Sequence, residues 1–285
     1  MRPDRIPGTI VRTIQKYQNW PEIITSRAKR EIPAEFILRD GTRFETGRLL
    51  VWHELVNEIF FEHVYTPVPL QIGRNDVVVD IGAHIGVFSV FAASITQNTV
   101  YAFEPSPRNF EVLKRNIGVN GVNNIVASRF AVSDRPGSTI LLPSSASSTN
   151  HLLFDHTILN QLEKYQASAE HQQYKRVMPR DFEEHIEVPT TTLQDIMDSN
   201  NIEQVDFLKM DCEGSEGLIL ESTPESYLKR VRKIAFEFHD HLSHISHDDM
   251  RKLLEELGFT TDLKWNGKSP VGFLYGWRES FSKAR

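Results

Sequence analysis

Val77-Val-Val-Asp-Ile-Gly-Ala-His-Ile-Gly86 decides the fold. Three β-branched residues in succession read as a short strand buried on both faces, as in a parallel sheet. Asp80 and Gly82 fall where that strand ends, and Gly86 stands just inside a helical pattern from about Ala83 to Ser94. A strand that stops at a glycine-containing turn and feeds a helix leaves backbone N–H groups free at its tip, a cradle for a polar ligand. Eighteen residues after Gly86, the stretch Val100-Tyr-Ala-Phe-Glu104 closes a second strand on a carboxylate. Two successive strand–helix units with acidic strand ends are the layout of a nucleotide-type cofactor site in a doubly wound sheet.

Outward from this core the alternation continues, which argues for an α/β fold with a mostly parallel sheet. Ser106 suits an N-cap and Pro107 the first helical position, with Phe110, Leu113 and Ile117 as the apolar face and Gly118 or Gly121 as the stop. Asn124–Val132 reads as a third strand, and Ser138–Leu142 as a short one. The rhythm then breaks. Residues 143–187 form an insertion over the active-site end, with Leu152 to about Tyr174 helical in pattern, placed where loops carry specificity. Thr192 caps the next helix, Val205–Met210 is the fourth strand and Arg232–Phe238 the fifth. Ser246 with Asp249 makes a capping box, and Phe259–Trp265 with Val271–Trp277 closes the chain as an antiparallel hairpin.

Before the core, residues 1–66 read as a helical and hairpin extension, leaving 67–285 as the main domain. Asn19-Trp20-Pro21 interrupts a basic helical stretch within residues 1–33. A membrane-surface role for that stretch is weighed, and a helix packed on the domain is preferred. Asp40-Gly41 between two β-prone runs marks a tight hairpin, and Leu50–Phe61 a helix. The 285 residues carry a net charge of −6, so no basic field argues for nucleic acid. Cys212 stands alone, excluding an internal disulfide. No apolar run long enough for a membrane span and no signal-peptide pattern occur, so a cytoplasmic location is expected.

Asp80, Gly82 and Gly86 give D-x-G-x-x-x-G rather than G-x-G-x-x-G. The glycine that admits a dinucleotide pyrophosphate is missing. A carboxylate ahead of the first glycine suits a cofactor with a cationic amino-acid end, and Glu104 suits a ribose diol. The pair favours S-adenosylmethionine over NAD. An NAD-dependent oxidoreductase and a non-catalytic cofactor-binding scaffold are the alternatives.

Asp-Ile-Gly-Ala-His-Ile-Gly (80–86), Ala-Phe-Glu-Pro-Ser-Pro (102–107), Ala-Val-Ser-Asp (131–134) and Phe-Leu-Lys-Met-Asp-Cys-Glu-Gly-Ser-Glu (207–216) resemble the FkbM family of methyltransferases in order and spacing. Asn57-Glu-Ile-Phe and Glu237-Phe-His-Asp join the resemblance, which covers roughly residues 50–277. It implies a class I, Rossmann-like methyltransferase fold: seven strands with the last reversed, in agreement with the closing hairpin. It also implies O-methylation of a hydroxyl on a small natural product, sugar or glycan. His84 stands where the family more often has Asn.

On this reading Asp80, Gly82, His84 and Gly86 hold the methionine end, Glu104 and Pro105 the ribose, and Ala131 or Asp134 the adenine; Asp211 lies near the sulfonium and the acceptor. A hydroxyl acceptor must lose its proton. His239 and Lys209 are the candidate bases, His239 preferred because imidazole titrates near working pH, with Asp211, Glu213 and Glu237 as alternatives or orienters. Strand alternation puts Lys209 with Asp211, and Glu237 with His239, on common faces. Asp211, Glu213, Glu216 and Glu237 could gather round Mg²⁺, but helix-facing or capping carboxylates are preferred and no metal is assigned. The run His239, His241, His244, His247 reads as a polar loop rather than a zinc site, and Cys212 as a small buried residue.

Overall fold

The computed structural model describes residues 6–47, 53–143, 151–154 and 186–278. The chain enters through α1 (Ile6–Lys16), α2 (Trp20–Lys29), a hairpin of β1 (Glu35–Ile37) and β2 (Arg43–Glu45), and α3 (His53–Phe60). Pro21 sits in the first turn of α2, where its missing N–H would have had no partner; the basic stretch is therefore two helices. Tyr17 is fully buried and donates its hydroxyl to the His53 carbonyl at 3.2 Å, so this segment packs on the domain.

The core follows as β3 (Val78–Ile81), α4 (Val87–Ile95), β4 (Val100–Phe103), α5 (Pro107–Asn120) and β5 (Ile125–Ser128). Next come the short strands β6 (Ala131–Val132), β7 (Gly137–Pro143), β8 (His151–Phe154) and β9 (Ile186–Thr191), then α6 (Leu193–Ser199). The chain ends with β10 (Val205–Met210), α7 (Glu216–Ser222), α8 (Glu225–Leu228), β11 (Val231–His239), α9 (His247–Glu256), β12 (Thr260–Lys264) and β13 (Val271–Trp277). The expected caps form: Ser106 accepts from the Asn109 N–H, Thr192 from Asp195, and Ser246 with Asp249 closes the capping box.

Seven strands make one sheet in the order β12-β13-β11-β10-β3-β4-β5. β13 runs antiparallel to β11 and β12, and the other neighbours pair in parallel. This is the sheet of class I methyltransferases, with the reversed last strand inserted before the edge. From β3 the chain moves outward through β4 and β5, then returns to the opposite side of β3 at β10. Open α/β sheets bind ligands in the crevice at such a switch point.

Three sequence expectations need correction. Asn124–Val132 is two strands, because only β5 joins the main sheet; β6 pairs with β9 in a second, four-stranded sheet of order β6-β9-β7-β8. Residues 151–154 pair with β7 as strand, not helix; residues 155–185 lie outside the described residues. The helix after β3 begins at Val87 rather than Ala83. Positive φ at Gly82, His84 and Gly86 (77°, 52° and 87°) keeps 82–86 as a loop.

Alternation divides the sheet's side chains between two cores. Val78, Phe207 and Ala235 pack with α4, α3 and the N-terminal segment; Val79, Leu208 and Phe236 pack with α6, α7 and α9. Asp80, Lys209, Glu237 and His239 share the first of these faces by the same period.

Candidate active site

A cavity of about 510 Å³ opens at the carboxyl ends of β3, β4, β10 and β11. Its floor begins with the loop after β3. The Gly82 and Ala83 N–H groups both donate to the Phe103 carbonyl, tying this loop to the end of β4. A Cβ on Gly82 would stand 1.8 Å from the Asp211 carbonyl oxygen, so only glycine lets the loops after β3 and β10 meet. His84 occupies the left-handed region, which Asn also tolerates well.

Behind that loop, parallel register sets Asp80 beside Lys209. Asp80 is fully buried and accepts from Ser89 Oγ at 2.5 Å, with Lys209 Nζ 3.1 Å away. Lys209 also donates to the carbonyls of Ile81 and Gly82 at 3.3 and 2.6 Å. Burial opposes its charge, but Asp80 and Asp211 outweigh that and raise its pKa above the usual lysine value. Lys209 is a fixed cation that braces the loop from beneath.

Glu104, at the end of β4, accepts from the His84 and Ser106 N–H groups at 2.8 and 2.9 Å and from the Asn109 amide at 3.3 Å. Burial lifts its pKa to about 7 against those three donors. Beside it, Pro105 and Ala131 also line the cavity.

The far end is acidic. Asp211 accepts from Tyr65 Oη at 2.9 Å. Burial, reinforced by Asp211, lifts Glu237 to about 8. Burial also lifts Glu213 to about 8, with the His239 charge opposing it. His239 is 5% exposed, its Nε2 3.5 Å from Glu213 and its Nδ1 3.4 Å from Glu216. Burial acts to lower its pKa, but Glu213, Glu216 and Glu237 hold it well above the ordinary histidine value.

Of the residues singled out by sequence, Gly82, His84, Glu104, Pro105, Ala131, Lys209, Asp211, Glu213, Glu237 and His239 line this one cavity. Asp80 lies beneath it, Gly86 packs on Leu113, and Asp134 engages Ser133 and Arg135. Glu216 is a capping carboxylate, as preferred: it accepts from the Cys212 and Gly214 N–H groups at 2.9 Å each. His244 pairs with Glu221 and His247 with Asp240, so the histidine run does not converge. Burial, with Glu216, raises the Cys212 thiol well above its usual pKa, leaving it protonated. Tyr65, Glu58 and His241 also line the cavity and were not foreseen there. Glu58 falls inside the Asn57-Glu-Ile-Phe motif, a signal that could have found it; Tyr65 lies in an unpatterned linker.

Residues 80–261, which include the cavity's strand ends, match the methyltransferase FkbM domain. The chain belongs to the FkbM methyltransferase family. It is 31% identical over 201 residues to the 31-O-demethyl-FK506 methyltransferase FkbM of Streptomyces tacrolimicus, covering 65% of this chain and 74% of that protein. Methyltransferase 1 of Beauveria bassiana (strain ARSEF 2860) is 24% identical over 204 residues, covering 71% and 78%. The solved structure of methyltransferase FkbM from Methylobacillus flagellatus KT superposes with a TM-score of 0.44 at 15% identity, covering 77% of this chain and 50% of that one. The sheet order, not that superposition, carries the fold assignment of this FkbM-family methyltransferase. Among the described residues no helix is long and apolar enough to cross a membrane.

Proposed function

We propose that this chain is an S-adenosylmethionine-dependent O-methyltransferase acting on a hydroxyl of a small natural product or sugar. One observation carries the reading: a ribose-suited carboxylate, a glycine loop and an acid–histidine cluster share a single cavity at the switch point of the sheet. The name of the Streptomyces relative, a methyltransferase of 31-O-demethyl-FK506, supports a small-molecule hydroxyl as acceptor. The bound donor supplies a methyl group on a positively charged sulfur. The Gly82–His84 loop and Glu104 hold it, and Lys209 keeps that loop's carbonyls in place. Asp211 faces the acceptor and takes its proton, with Glu237 beside it on the same wall. His239, with a carboxylate against each ring nitrogen, is placed to orient the cluster rather than to act alone as base. Alignment of oxygen, carbon and sulfur does much of the remaining work. Residues 1–66 and the insertion at about 143–187 are assigned to acceptor choice, since β6 at the root of the second sheet lines the cavity.

Calorimetry with S-adenosylhomocysteine and with NAD, followed by a mass-shift screen over hydroxylated acceptors, tests this reading. Binding of NAD alone, or methyl transfer only to amines, ends it.

Two smaller predictions belong here. Ribose hydroxyls donate to a carboxylate, so donor affinity is expected to rise with pH through about 7, where Glu104 loses its proton. Glu104→Gln should weaken S-adenosylhomocysteine binding by roughly 10–100-fold and flatten that pH dependence. A pH slope that persists in the variant rules Glu104 out as its source. Tyr65 is a positioning residue: Tyr65→Phe should lower kcat about tenfold with the donor KM unchanged. An equal loss in donor affinity would mean that Tyr65 shapes the donor site instead.

A further inference from the structure

Glu216 is fully buried and lies behind the cavity wall rather than in it. It opens α7, and its side chain folds back over the loop that leaves β10. Oε1 accepts from the Cys212 N–H and Oε2 from the Gly214 N–H, both at 2.9 Å. The loop so gripped carries Asp211 and Glu213 into the cavity. Its near end is already fixed, since the Asp211 N–H donates to the Ile81 carbonyl at 3.0 Å.

The grip holds a backbone that would not keep this shape alone. Glu213 (φ 54°) and Gly214 (φ 100°) are successive left-handed residues, a conformation that is costly for a residue with a side chain. A Cβ on Gly214 would stand 2.6 Å from that of Leu242, so the loop is pressed against the turn that follows β11. From that side comes a second contact. His239, at the end of β11, places Nδ1 3.4 Å from Glu216 Oε1 and Nε2 3.5 Å from Glu213 Oε2. Its carbonyl accepts from the Leu242 and Ser243 N–H groups at 2.8 Å each, tying the same residue to the turn that Gly214 meets.

The charges agree with this geometry. Glu213, Glu216 and Glu237 outweigh burial and keep the His239 ring charged. That charge, with the two N–H groups, holds Glu216 below the usual carboxylate range against its own burial. The neighbouring His241 is kept neutral, lowered to about 4 by burial and then by the His239 charge, and Asp211 completes the ionisable groups around the ring. A neutral side chain at position 216 could cap α7, but it could not receive both N–H groups and pair with a cation.

We infer that Glu216 is a positioning residue of the transfer reaction. Through the Cys212 and Gly214 N–H groups and the His239 cation, it clamps the 211–214 loop to the end of β11 and fixes where Asp211 and Glu213 meet the acceptor. The acceptor part of this inference rests on the hydroxyl-methylation reading above; the clamp stands without it.

Glu216→Gln is the test, since its single amide oxygen can take one of the two N–H groups and pairs with no cation. Imidazole nitrogen nuclear magnetic resonance of the full chain reads the ring's charge, with the His239 signal assigned by its absence in His239→Asn. In the parent protein the ring is expected to stay charged from about pH 6 to about pH 8. In Glu216→Gln its titration should move down by at least about one pH unit. Turnover should fall roughly 10–100-fold, the loss growing as the pH rises through that new titration, while S-adenosylhomocysteine affinity stays within a few-fold. A neutral His239 in the parent protein near neutral pH overturns the inference, and that measurement needs no variant to fold. So does a Glu216→Gln protein with parental turnover and pH profile. A fall in turnover with the His239 titration unmoved overturns it too, because Glu216 is then a helix cap only. Absence of any methylated hydroxyl with the parent protein sinks the methylation reading instead, and the resonance titration still decides the clamp.

Discussion

Lys209→Met is expected to lower stability by about 3–5 kcal/mol, because it strands the fully buried Asp80 carboxylate without its cation. Met fills most of the space of the lysine stem, so cavity formation adds little. The variant also leaves the Ile81 and Gly82 carbonyls without their ammonium donor, in the loop that meets the cavity. At roughly 2 °C per kcal/mol for a chain of this size, the melting temperature should fall by about 6–10 °C. The double variant Asp80→Asn with Lys209→Met should recover part of the loss, since it removes the uncompensated charge. The deficit should be flat through neutral pH. A lysine pKa raised above 10.5 keeps the ion pair's contribution whole below that value, and it fades only as the pH climbs past the folded pKa. A loss below about 1 kcal/mol would mean that solvent or Ser89 alone satisfies Asp80.

That pair also marks how far the sequence could be read. Val77–Gly86 revealed the strand and the turn that borders the cavity, because both are local: β-branched residues, and glycines where φ turns positive. Glu104 was legible for the same reason, as the end of the next strand. Strand alternation correctly placed Lys209 on the face of Asp211 and Glu237 on that of His239. It could not say that Lys209 reaches back to Asp80, since that depends on the register between β3 and β10. The Tyr65–Asp211 bond joins residues 146 apart through a linker with no pattern of its own. His239 drew attention as an imidazole near working pH. What changes its reading is Glu213 on one nitrogen and Glu216 on the other, a fact of loop geometry set by left-handed Glu213 and by Gly214 packed on Leu242. Asn124–Val132 looked like one strand because its composition is continuous, and only pairing reveals the division between two sheets.

Asp211→Asn should cut turnover by about 10²–10⁴-fold while S-adenosylhomocysteine affinity changes by no more than a few-fold. The substitution is nearly isosteric, and the amide oxygen can still accept from Tyr65, so the wall of the cavity keeps its shape. What disappears is the negative charge that faces the acceptor from the end of β10. If Asp211 takes the acceptor's proton, the amide cannot. That loss acts on the acceptor's oxygen and not on the donor, whose contacts are proposed at Gly82–His84 and Glu104. The expected signature is therefore a fall in kcat with the donor KM preserved, measured at saturating acceptor. Turnover within about threefold of the parent protein would remove Asp211 from the reaction and leave Glu237 as the group to test next.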